Sequence, residues 1–93
     1  MNLLQFDREL VPLLQGYSVE YSQFEDGDFG TLERLELDGF SKLATIEFWS
    51  RGWIGVDIYD CLMGQQLMNV LLSPNDVDLE VDVFQRFISI LKQ

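Results

Sequence analysis

No histidine occurs in the 93 residues of this chain, and there are only six basic residues, two prolines and one cysteine. Each shortage closes off something. Without histidine the chain has no imidazole metal ligand and no side chain whose ordinary pKa lies near neutrality. The single thiol, Cys61, permits no intramolecular disulfide, fits a reducing compartment, and reads as a small buried hydrophobe rather than a nucleophile. Six basic residues against sixteen acidic ones give a net charge of -10. The basic footprint of a nucleic-acid binder is therefore missing. No stretch approaches the ~20 apolar residues of a membrane span. Residues 1–16 are interrupted by Asp7, Arg8 and Glu9 and lack the basic start and apolar run of a signal peptide. The expectation is a soluble cytoplasmic protein that engages neither nucleic acid nor membrane.

What is present is apolar and aromatic. Hydrophobic residues make up 47% of the chain, with seven Phe, three Tyr and two Trp, too much for disorder and enough for one modest core. The length corresponds to one domain, residues 1–93. Leu3, Leu4, Phe6, Leu10, Leu13 and Leu14 recur at helical spacing, and Pro12 must break that helix. From Tyr17 the period changes to two. Strands are predicted around 17–22, 31–38, 42–50 and 53–60, with Asp38-Gly39 as a hairpin signal. Residues 65–72 suit a fifth strand better than a two-turn helix. Ser73-Pro74 then reads as an N-cap followed by proline at the first helical position, opening a helix with Val77, Val81, Phe84, Ile88 and Leu91 on one face. The expected architecture is α+β: an antiparallel four- or five-stranded meander, with an N-terminal and a C-terminal helix packed on one face.

The alternation sorts the strand residues into two sets. Val19, Leu35, Leu37, Ala44, Ile46, Phe48, Ile54, Val56 and Ile58 form the core face. The opposite face carries Glu20, Arg34, Glu36, Thr45, Glu47, Trp49, Trp53, Asp57 and Tyr59. Aromatics among carboxylates suit recognition of a basic protein, the rings anchoring and the acids steering and pairing. Trp49, Trp53 and Tyr59 are the candidate anchors, and Glu36, Glu47 and Asp57 the candidate pairing groups. The same aromatics could instead strengthen cross-strand packing or lie under a second copy.

Other chemistry has little to stand on. The acids of Asp26-Gly27-Asp28-Phe29-Gly30 and of residues 76–82 do not follow the ligand order of a calcium loop. No nucleophile elbow, phosphate loop or dinucleotide fingerprint occurs. No metal, cofactor or catalytic residue is assigned, and the chain is not expected to be an enzyme.

The segment Trp49-Ser50-Arg51-Gly52-Trp53-Ile54-Gly55-Val56-Asp57-Ile58-Tyr59-Asp60, then Gly64, residues 67–74 and a terminal amphipathic helix resembles something known. Over residues 31–91 it is similar to small acidic bacterial immunity proteins, which neutralise toxin domains of contact-dependent growth inhibition and other polymorphic toxin systems. The likeness lies in size, acidity and the order of strands, hairpin and helix. It implies an α+β protein that binds a cognate toxin domain tightly and occludes it. The binding residues named above come from the alternation, not from the resemblance. The leading expectation is thus an immunity or inhibitor protein with a basic toxin domain as partner. The alternative is a non-catalytic structural or adaptor domain that forms a homodimer or larger homo-oligomer through the same aromatic face. A third is an acidic mimic of DNA.

Overall fold

In a computed structural model the backbone of all 93 residues is described, and every side chain except that of Asp26. Asn2 caps helix α1 (Leu3–Glu9), its Oδ1 accepting from the Gln5 amide at 2.8 Å. Pro12 cannot supply the amide that would continue this helix. The chain instead passes through a 3-10 turn at Val11–Leu13 and reverses at Gly16, whose φ is +94°. Five strands follow: β1 (Ser18–Gly27), β2 (Gly30–Gly39), β3 (Lys42–Trp49), β4 (Ile54–Asp60) and β5 (Gln65–Leu72). They pair antiparallel in the order β1-β2-β3-β4-β5. A 3-10 turn at Val77–Leu79 leads into helix α2 (Glu80–Leu91).

The register fixes the faces. Leu35 lies opposite Ile46, Ile46 opposite Val56, and Val56 opposite Val70, so one apolar row crosses four strands. Leu37, Ala44, Ile58 and Met68 form the row on one side of it, and Phe48, Ile54 and Leu72 the row on the other. Both helices cover this face. Phe6 of α1 is fully buried, its ring centroid 5.8 Å from Phe84, 6.1 Å from Phe87 and 6.4 Å from Phe48. Three rings meeting at tilted angles add to the large area that each removes from water. All nine residues read from the sequence as the core face lie in this cluster or against it, Val19 at its edge.

Four local details depart from expectation. The turn after β2 is Phe40–Ser41, both at positive φ (51° and 61°), while Asp38 and Gly39 still pair with Leu43 and Lys42. Gly39 is needed for a different reason than a turn: a Cβ there would meet the Gly16 carbonyl oxygen at 2.9 Å. Ser73 caps no helix. The Asp76 carboxylate accepts from the Ser73 amide at 2.8 Å, which closes a polar turn and delays α2 until Glu80. The helix therefore buries Val83, Phe84, Phe87 and Leu91, and leaves Val77 63% and Val81 68% exposed. Lastly, Cys61 is exposed at the β4–β5 turn rather than buried. Its amide bonds the Ser41 carbonyl at 2.8 Å, which fixes the backbone there and leaves the side chain outside the core.

Candidate protein-binding face

Because α1 and α2 lie on the same side, no helix covers the outer face of the sheet. The strand period places Glu20 on β1, Glu36 and Asp38 on β2, Glu47 on β3 and Asp57 on β4 on this face. Among the described strand residues Arg34 is the single cation there. Neighbouring strands are about 4.8 Å apart, so these carboxylates are held close by backbone that cannot spread.

Two shallow depressions result. Arg34, Glu36, Thr45, Glu47 and Asp57 line one of about 280 Å³. A second of about 200 Å³ is bordered by Ser18, Glu20, Glu36, Asp38, Leu43 and Thr45. Thr45 sits directly between Glu36 and Asp57 in the ladder, and its small side chain opens the space that both depressions share. Glu36 is common to them.

The acids are not equally engaged. Arg34 donates to Glu47 Oε2 through Nε (3.0 Å) and Nη2 (2.7 Å), while its guanidinium lies 4.8 Å from the centre of the Phe24 ring. Gln66 donates to Asp57 at 2.5 Å. Among the described residues Glu36 and Glu20 make no side-chain hydrogen bond or ion pair. A cation entering from solvent therefore finds Glu36 free, with Asp57 and the Arg34–Glu47 pair beside it.

The aromatics gather at one end. Trp49 lies across Gly55, where a Cβ would stand 3.3 Å from the indole ring. Phe29, from the β1–β2 turn, stacks on Trp53 at 4.7 Å and 22° and meets Trp49 edge-on at 5.6 Å. Both tryptophans are half-buried by these contacts, so each presents one surface to solvent and uses the other to hold its neighbour. The six residues singled out from the sequence thus divide. Glu36, Glu47 and Asp57 line one depression, and Trp49 and Trp53 form an aromatic cap beside it. Tyr59 stands apart, four residues beyond Gly55 and about 13 Å along β4. It pairs with Leu43 and is 41% exposed.

Phe29 and Phe24 are the contributors that sequence reasoning passed over. The first sits in a turn, outside any period, and the second lies beside a register shift between Phe24 and Gly27. Of the acids in the β1–β2 loop region, Glu25 and Asp28 are exposed, and the Asp26 side chain lies outside the described residues. No protein-family model, curated protein or solved structure matches the chain.

Proposed function

We propose that the open sheet face binds a basic protein, and that the protein acts as an inhibitor or immunity protein that occludes a toxin domain. The observation that carries this reading is the pair of acidic depressions sharing an unengaged Glu36, flanked by a preassembled aromatic cap. Lysine or arginine side chains of a partner would enter the depressions, while Trp49 and Trp53 cover apolar surface next to them. The rigid strands restrict the carboxylates before binding, which lowers the ordering cost of association. A net charge of -10 would steer a cationic partner from a distance, speeding association and making it salt-sensitive.

The same charge weighs against the homo-oligomer that would use this face. Two copies placed face to face would oppose five carboxylates and one guanidinium with the same set, and one guanidinium per copy, already paired with Glu47, leaves most of that repulsion unbalanced.

The test uses the intact protein as bait in lysate of its own host, at about 0.05 and about 0.3 M salt, where the screening length falls about 2.5-fold. Wild type, Glu36→Arg and Trp53→Ala are compared. The expected result is a stoichiometric basic partner, released at the higher salt and lost with Glu36→Arg. That partner is then expressed alone and together with the protein. Toxicity alone and survival with wild type, but not with Glu36→Arg, supports immunity. A partner held equally by Glu36→Arg, or one harmless when expressed alone, overturns the reading.

A further inference from the structure

An open five-stranded sheet has two edges, and here they differ in kind. β1 carries Glu20 near its start and Glu25 near its end, and its pairing is interrupted between Phe24 and Gly27. Charge and irregularity of this sort keep an edge from pairing with another chain. β5 has neither defence over most of its length. Residues 61–75 contain no charged side chain, in a chain that is 24% charged. One irregularity, at Leu67, is followed by regular pairing of Met68–Leu72 with Ile58–Ile54. No strand lies beyond β5 in the sheet. Every second residue of a sheet-edge strand points its N–H and C=O away from the sheet, so β5 offers a row of donors and acceptors with no charge beside it. Leu71, on the outer face, is 52% exposed, and Leu62 and Met63 in the preceding turn are 80% and 66% exposed.

We infer that β5 is a self-association edge, and that its occupant is β5 of a second copy of this chain. The charge distribution selects that occupant. Over most of the surface two copies repel, and β5 is the one sheet edge where they can meet without opposing carboxylates. A basic partner gains nothing there, because the strand has no acid to pair with. An antiparallel join about a two-fold axis is self-complementary. Centred on Val70, it sets Asn69 against Leu71 of the copy on the outer face and Met68 against Leu72 on the core face, all neutral, and covers the exposed Leu71. The product is one continuous ten-stranded sheet with the helices of both copies on one side. Both acidic faces stay open on the other, so the join is independent of the binding role proposed above and compatible with it.

Sedimentation velocity from about 1 to 200 μM, with hydrogen exchange at the two ends of that range, tests the inference. The expected mass rises from the 10.8 kDa of one chain to twice that value. Added salt should strengthen the association, because it screens the repulsion between like-charged copies. Amides of β5 should gain protection with concentration, and those of β1 should not. Leu71→Glu places a like charge at the join and should weaken dimerisation at least tenfold. Gln23→Glu adds the same charge to the β1 edge and should leave it nearly unchanged. A 10.8 kDa species throughout, equal loss in both variants, or concentration-dependent protection on β1 overturns the inference. Should Leu71→Glu fail to fold, the wild-type exchange pattern alone decides.

Discussion

The two faces of this sheet are built from the same strands and share every backbone hydrogen bond, yet they use side chains in opposite ways. On the helix side, aliphatic rows and the Phe6, Phe84 and Phe87 rings are removed from water almost completely. On the outer side the side chains are placed just as firmly by the pleat, but charge and aromatic surface remain in solvent. Burial stabilises the first face, and geometry alone disposes the second. Period-two alternation therefore separates the residues that fold the domain from those of the proposed recognition face.

The sharpest way to break that separation is truncation at its two poles. Phe6→Ala should cost about 3–5 kcal/mol, read as a lower urea midpoint, because it opens a cavity among three rings. Trp53→Ala should cost partner affinity about 2 kcal/mol or more in a titration, if the aromatic cap anchors as proposed, with a smaller loss of stability than Phe6→Ala. Equal stability losses at the two sites would show that the outer aromatics are structural rather than reserved for binding. A double-mutant cycle on Arg34 and Glu47 should then give a coupling below about 1 kcal/mol, since both side chains are partly solvated. A larger value would mean that this pair holds the face together rather than tuning its charge.

The smallest expected effect lies where α1 meets the β1 edge. Tyr21 donates its hydroxyl to Asp7, and the hydrogen bond to that carboxylate, with some desolvation and the nearby charge, pushes its pKa from 10.0 up to about 12. Above pH 10 the unfolded chain loses this proton while the folded one keeps it, so the contribution is complete below pH 10. It falls away as pH rises through about 12. Tyr21→Phe should remove that part of the alkaline loss of stability, measured as unfolding midpoints between pH 9 and about 12. An unchanged pH profile in the variant would show that the Asp7 contact does not persist in solution.

Much of the fold was legible because alternation is a direct readout of a half-buried strand. The apolar set from Val19 to Ile58 is on the core face, and residues 65–72 are a strand. The misread places share a cause, since local chemistry had two uses for the same residues. Asp38-Gly39 has the composition of a turn, but Gly39 is small because the chain at Gly16 passes over it. Ser73-Pro74 has the composition of a helix start, but Asp76 takes the Ser73 amide first. Of the candidate site, the placing of Glu36, Glu47, Asp57 and Tyr59 on one face followed from parity. The depressions did not, because they depend on which strands are neighbours and on the small Thr45 between them. Nor did the aromatic cap, which is completed by Phe29 from a turn. That both helices would choose the same side, leaving the other bare, is set by tertiary packing to which strand periodicity is blind.

The order in which the chain emerges has a consequence of its own. Each strand pairs only with its neighbours in sequence, through connections as short as Asp28–Phe29 and Phe40–Ser41, so the sheet needs no distant segment to assemble. Its apolar side, however, is sealed by Val83, Phe84, Phe87 and Leu91, which follow all five strands in the chain. A nascent chain that stops short of Glu80 carries the paired strands with a large part of their apolar face in water. Apolar surface left open in that way favours aggregation and local opening, and the twelve residues of α2 cover it only once every strand has been made.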